Sequence, residues 1–512
     1  MQKIKNFFIK NWAIILIIVV ATFLRFYQLD KIPFGLYPDE AANGQDIIRM
    51  LEEGDHQAIY DTNGPRESLF FYLQAIFVWI GKTFGIEALH FTPLSLRIAP
   101  AIIGIITVWA VYLLGKELFS RNIGLLASAT MAVSAWHIQF SRNGFRAIML
   151  PMALAFMFYF FFKAYREGKL KDYLWFAAFL AMGFYTYLSI RMVPIIFAAF
   201  FIWLMIYNRN FIKENLRNLL YSGLLFFLLL IPLIISFIGD PGLLAGRAST
   251  SIFNPELNEG SWILALWKSI YGELTMFNIK GDPNFRHNLG GSPMLDIVTG
   301  IFFWIGIIIS LKRFKKLEYF ILIFWFFAMS LPMVLTAEGI PHALRLVGTM
   351  PVVFIWIALG IDWLISKFKN KNIKYVVVGL ILLIAGVLGF KKYFIDFPSH
   401  KEAREAYSED MVIMANDIRN SSPERENIMI TGEFGLKTVY FMTHHLNPKI
   451  TQHETYEIKS DLNLPTGEYK IFVAKSWLED TERNLLELGY WFDFKPVRSD
   501  LDERIIYYEY QN

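Results

Sequence analysis

The chain is written in long apolar runs separated by short charged breaks. The first run, Trp12–Leu24, follows Lys3, Lys5 and Lys10, and later runs of spanning length lie at about 94–115, 122–140, 147–163, 173–189, 192–207, 218–238, 294–311, 318–335, 344–365 and 374–390. Each is judged against the roughly 20 residues needed to cross a bilayer. No A-x-A-like cleavage site follows the first run, so it reads as an uncleaved helix with its N-terminus in the cytoplasm. About eleven crossings result, with 66–84 as a further apolar helix on or in the outer leaflet. After Phe394 the pattern turns polar, with strand-type runs at Asn427–Thr431, Tyr469–Ala474 and Arg504–Tyr510 and helical patterns near Glu409–Arg419 and Leu478–Leu488. The fold class expected is therefore mainly α and polytopic, over 1–394, with a small α/β domain at 395–512 on the outer face.

Charge fixes the expected orientation. Lys116/Arg121, Arg166/Lys169/Lys171, Arg209/Lys213/Arg217, Lys312/Arg313/Lys315/Lys316 and Lys367/Lys369/Lys371/Lys374 all fall in alternate connections, as cytoplasmic loops require. The first loop (27–92), the long loop (240–292) and the C-terminal domain then lie outside a cytoplasmic membrane. Composition agrees: 55% of the 512 residues are hydrophobic and 17% aromatic, beyond what a soluble core needs. With no cysteine, disulfides, thiolate nucleophiles and Cys-based metal sites are excluded. A net charge of +4 makes no case for nucleic acid.

Candidate chemistry gathers at the outer helix ends. Asp39 and Glu40, in GLYPDEAANGQ, are adjacent acids just beyond the first run. Asp39 after Pro38 suits a helix N-cap and Glu40 a first helical turn; a carboxylate there also suits a general base or an ion ligand. NGPRESLFFYLQ carries Arg66, WHIQFSRNGFRAI carries Arg142 and Arg146, and FYTYLSIRMVP carries Tyr187 and Arg191. KGDPNFRHNLGGSPMLD adds Arg286, His287 and Asn288, and AEGIPHALRL adds His342 and Arg345. One such arginine can simply snorkel to lipid headgroups. A set of them on the face where positive charge is depleted points to an anionic ligand, and the planar guanidinium fork suits phosphate. The turn residues of GDPN and GGSP need no function, and His444, His445 and His453 read as solvated surface.

Taken in order, PDEA, GPRESLFFYLQ, SLRIAPAIIGIITVWAVYLLGKELF, WHIQFSRNGFRAIMLP and FYTYLSIRMVP resemble the bacterial branch of the protein O-mannosyltransferase-like family. These are glycosyltransferase family 39 enzymes of the GT-C fold, akin to the lipid A aminoarabinose transferases, and the likeness spans roughly residues 10–366. It implies transfer of a sugar from a polyprenyl-phosphate donor to a protein, lipid or glycan acceptor outside the membrane. A first-loop carboxylate serves such enzymes as base, which maps onto Asp39 with Glu40 beside it. Where many relatives have Lys-Pro-Pro-Leu, this chain has Arg66-Glu67-Ser68-Leu69, keeping the charge and losing both prolines.

The expected mechanism is a single, inverting displacement. Asp39 deprotonates the acceptor hydroxyl, while Arg66, Arg142, Arg146, Arg191 and Arg345 hold the donor phosphate. Tyr187, Arg286, His287, Asn288 and His342 are the expected substrate contacts. No metal ligand set is assigned, and a divalent cation is the one cofactor left open. Two rivals are a transporter or lipid flippase, which would place ionisable groups near the bilayer midplane, and a membrane-anchored binding protein, which would leave the outer arginines without a role.

Overall fold

The computed structural model describes residues 2–244, 251–258, 260–455, 457–458, 464–499 and 502–512. Part of the long loop, 245–250 and 259, lies outside the described residues. In chain order the helices are α1 Gln2–Phe26, α2 Pro38–Ile48, α3 Leu69–Phe84, α4 Pro93–Leu118, α5 Arg121–Val133, α6 Ala135–Phe140, α7 Met149–Glu167, α8 Leu170–Phe184, α9 Val193–Tyr207 and α10 Phe211–Gly239. They continue as α11 Trp262–Met276, α12 Ile297–Lys312, α13 Leu317–Val334, α14 Met350–Ser366, α15 Lys371–Phe390, α16 Phe397–Ser399, α17 Lys401–Ala406, α18 Glu409–Arg419 and α19 Glu433–Thr443, with a last helix at Leu478–Glu487. Strands are β1 Ile59–Tyr60, β2 Arg66–Glu67, β3 Glu426–Ile430, β4 Ile450–His453, β5 Tyr469–Ala474, β6 Lys495–Arg498 and β7 Ile505–Gln511.

The chain forms two compact units: residues 1–29, 56–73 and 97–399 make one, and 30–55, 74–96 and 400–512 the other.

In the first unit every expected apolar run contains helix. Among the described residues, seven helical stretches are long and apolar enough to cross a membrane, and Asn11–Phe26, Leu69–Phe84 and Ile297–Lys312 are apolar but shorter. The run at 122–140 is not one helix. Ser134 takes an extended conformation (ψ 125°), which ends α5 and starts α6. Together with α8, at 15 residues, this leaves fewer crossings established by length than the eleven expected. Small residues let backbones touch, as is usual between helices in a membrane: a Cβ added at Gly306 would strike the backbone at Trp356, and one at Gly360 the backbone at Phe302, so α12 and α14 lie in direct backbone contact.

The second unit holds a five-stranded sheet in the order β4-β3-β5-β7-β6. β3 runs parallel to β4 and β5, whereas β7 runs antiparallel to β5 and β6. Facing pairs Ile428–Ile471 and Ile430–Val473 put one apolar face in register, and Leu485 of the last helix is buried with them. The same unit takes in the first-loop segments, which the sequence pattern did not join to it. The Thr438 hydroxyl on α19 donates to the Leu36 carbonyl over 2.8 Å, and His444 Nε2 lies 2.6 Å from the Glu52 carboxylate, which also receives Lys82 at 2.7 Å. Phe91 stacks flat on the His445 ring (5.8 Å, 7°) and meets Phe441 edge-on at 5.7 Å.

Helix α2 lies on α19 because Gly44 has no side chain: a Cβ there would enter the Phe441 ring. Gly44→Val should therefore destabilise the second unit by about 1–3 kcal/mol, the usual cost of overpacking. Phe441→Ala in the same chain should restore part of that loss. Thermal melting of the two single variants and the double variant checks this, and additive losses would show that the two residues do not meet.

Candidate functional site

The first carboxylates sit where a helix begins. Pro38 is the first residue of α2 and Tyr37, extended at ψ 141°, is its N-cap, with no side-chain bond to the cap position. Asp39 therefore does not cap the helix, which corrects one of the two readings its position allowed. Asp39 and Glu40 both lie in the first turn, where exposed amides favour negative charge. Asp39 is half-buried and Glu40 fully buried at 0% exposure.

In the first unit the arginines separate into two kinds. Arg142 is buried, its Nη1 donates to the carbonyls of Leu24 and Arg25 at the end of α1 (3.1 and 2.8 Å), and its guanidinium lies over Tyr393 and Phe394. It closes the open carbonyl end of a helix, and we withdraw it from the phosphate set. Arg25, which the sequence reading passed over, acts similarly, with Nη1 2.6 Å from the Ala132 carbonyl and Nη2 2.6 Å from His137 Nδ1.

The second kind stands on short 3₁₀ turns. Arg146 begins the turn Arg146–Ile148 that leads into α7, Arg191 belongs to Leu188–Met192 ahead of α9, and Arg345 belongs to Ala343–Thr349 ahead of α14. The turn bearing Arg345 packs against both of the others. The three arginines thus stand on neighbouring turns at the starts of three long helices, whose positive dipole ends favour anions. Arg146 is paired with Glu67 at 3.2 Å and stands over the Tyr187 ring at 5.9 Å. Arg66, next to Glu67 on β2, lies over Phe71 at 5.0 Å. Arg345 reaches the Glu338 carbonyl at 2.7 Å and its carboxylate at 3.3 Å. Glu67 and Glu338 were not among the candidate site residues, because their arginine partners lie in other motifs or beyond a turn and local sequence does not pair them.

The loop 280–296 supplies the rest. Asp282 Oδ1 accepts from the Asn284 amide (2.8 Å), as the turn reading expects, but its Oδ2 accepts from His287 Nδ1 (2.9 Å) and from the Ala343 amide (2.7 Å). One carboxylate therefore ties this loop to the turn that carries Arg345. His287 stacks on Phe140 and lies 4.7 Å, ring to ring, from His342. Burial holds the His287 imidazole below its ordinary range, against the pull of Asp282. With Nδ1–H given to Asp282, its Nε2 is a lone-pair atom. Asn288 is instead a brace, donating to the carbonyls of Asp282 and Ser292. Arg286 folds back on Asn284, and its carbonyl accepts from Asn143.

Asp282, His287 and His342 offer ligand atoms all within 4.8 Å of one another. Two imidazoles and a carboxylate suit a divalent cation such as zinc, provided Asp282 gives up one of its present bonds.

Comparison with solved structures identifies the architecture. ArnT from Cupriavidus metallidurans bound to undecaprenyl phosphate superimposes with a TM-score of 0.59 at 10% identity, covering 98% of each chain. The chain has an ArnT-like fold. The oligosaccharyltransferase AglB from Archaeoglobus fulgidus, in complex with an inhibitory peptide and a dolichol-phosphate, matches with a TM-score of 0.53 at 13% identity, over 95% of this chain and 73% of its own. A complex of the Archaeoglobus fulgidus oligosaccharyltransferase with Zn and sulfate matches at 0.52 and 13% identity, over 97% of this chain and 72% of its own. Residues 70–235 fit the model of the dolichyl-phosphate-mannose-protein mannosyltransferase family. No curated protein matches by sequence.

The cation fit has a direct check. Titration of the purified, chelator-treated protein with Zn²⁺ should show one site that is lost in His287→Ala and in His342→Ala. Equal heats in all three proteins would remove the cation from consideration.

Proposed function

We propose that this chain is a membrane glycosyltransferase that moves a sugar from a polyprenyl phosphate to an acceptor hydroxyl outside the cytoplasmic membrane. The observation that carries the reading is the packing of the turns that bear Arg146 and Arg191 against the turn that bears Arg345, at the starts of α7, α9 and α14. It occurs in a fold shared with an ArnT bound to undecaprenyl phosphate. Such a cluster suits a lipid-linked phosphate, whose charge grows as the bond to the sugar breaks.

In this reading Asp39 takes the proton from the acceptor hydroxyl as its oxygen attacks the anomeric carbon. The bond from that carbon to the phosphate oxygen breaks, its electron pair leaves with the polyprenyl phosphate, and the configuration inverts. Phosphate leaves without protonation, so a second carboxylic acid is not needed. Glu40 supports Asp39 from the same helical turn. Tyr187 is held under Arg146, and His287 and His342 supply hydrogen-bonding edges for a sugar. If the Asp282–His287–His342 group takes a cation, the ion adds positive charge on the loop side; no proton transfer is assigned to it. The acceptor class, protein, lipid or glycan, is a question for envelope-glycan mass spectrometry of a deletion strain.

Asp39→Asn should lower turnover by about 10²–10⁴-fold, the usual contribution of a general base, with donor binding unchanged. Near-normal turnover would end Asp39's role. Arg191→Lys and Arg345→Lys keep the charge and lose the fork, and should raise donor KM roughly tenfold. Arg142→Lys should lower thermal stability while leaving donor KM near the parent value. A larger KM change in Arg142→Lys than in Arg345→Lys would reverse the division made here between the two kinds of arginine.

A further inference from the structure

At the other end of the first unit, remote from the arginine cluster, is a cavity of about 830 Å³. Arg345 precedes α14 and Trp363 lies near its end; the 17 residues of α14 at 1.5 Å each put its two ends roughly 26 Å apart. The cavity opens where α12 turns into α13, beside the last turns of α4 and α14. Its volume falls within the range for small-molecule sites.

The lining has two parts. Ile305, Ile308 and Ile309 of α12 and Leu359 of α14 make an apolar wall, while Lys312, Arg313 and Lys316 line the rim. Arg313 is held in place without losing its charge: its Nη1 is 3.0 Å from the Tyr319 hydroxyl, and its guanidinium lies over that ring at 5.8 Å. Among the described residues, no carboxylate is paired with Lys312 or Lys316. Two acids line the cavity. Glu318 is neutralised by Arg166 at 2.6 Å, which leaves Asp362 as the acid set against the three cations.

An occupant must match both parts. A free phosphate would satisfy the rim and leave the isoleucine wall exposed; a neutral acyl chain would do the reverse. We propose that this cavity binds one anionic phospholipid, its phosphate held by Lys312, Arg313 and Lys316 and the first part of its chains lying against Ile305, Ile308 and Leu359. Basic recesses between spanning helices are suited to such headgroups. The site is separate from the transfer reaction proposed above and stands whether or not that reading holds.

The same chain supplies a control. Lys369, in the connection between α14 and α15, and Lys371, the first residue of α15, carry equal charge and line none of this cavity. The full-length protein, purified in mild detergent, would be given phosphatidylglycerol or phosphatidylcholine and examined by native mass spectrometry. The wild type should retain one phosphatidylglycerol per chain in preference to phosphatidylcholine. At about fivefold for each lysine, Lys312→Ser with Lys316→Ser should reduce retention roughly twentyfold or more. Lys369→Ser with Lys371→Ser should retain the wild-type amount. Ile308→Trp, which fills the wall and leaves the cations intact, should also lose the lipid. Equal retention in both lysine pairs would mean general attraction to the surface and overturn the site, as would equal retention of the two lipids. Displacement of the lipid by millimolar glycerol phosphate would make this a small-anion site and overturn the role given to the isoleucine wall.

Discussion

Hydrocarbon offers an amide or a guanidinium nothing to bond, and this one constraint arranges the chain. Backbone that leaves the helical pattern must do so at helix ends, and here it does so next to the most strongly polar side chains. The 3₁₀ turns before α7, α9 and α14 are such places. Each sets an arginine just ahead of a long helix, at the positive end of its dipole. The anion site proposed at these turns is therefore a consequence of where a spanning helix begins, joined to side chains that can form two bonds at once. Asp282 completes the arrangement by accepting from an amide of one of the turns and from an imidazole of the 280–296 loop.

Much of this was legible in the sequence. Tyr469–Ala474 and Glu409–Arg419 coincide with observed elements, and β3 and β7 lie within a residue of their expected bounds. Alternation and 3.6-residue periodicity are strong where one face is buried. The strand Ile450–His453 was not foreseen, because it is short, edge-placed and only partly buried, so it carries no alternating signal. The run 122–140 misled because hydropathy does not register a break in which Ser134 alone changes its ψ.

The site was harder to read for a different reason. Arg142 and Arg146 lie four residues apart in one motif, with the same neighbours in composition. One closes the end of α1 and the other opens α7. Which carbonyls an arginine meets depends on partners more than a hundred residues away, and local sequence does not encode them. Asp282 was hidden by its own success as a turn residue, since Gly-Asp-Pro-Asn already explained it, and only its second oxygen reveals the longer reach.

Helix α2, with its two carboxylates, rests on α19, about 400 residues further along the chain. At roughly 5–20 residues per second, a ribosome needs about 20–80 s to make the intervening polypeptide. For that interval Gly44 has no Phe441 to lie against and the Leu36 carbonyl has no Thr438. The polar helix that follows the first apolar run is thus among the last parts of the molecule to gain its partner. A chain cut short before residue 433 lacks that partner altogether, so an incomplete protein cannot assemble the contact on which α2 depends.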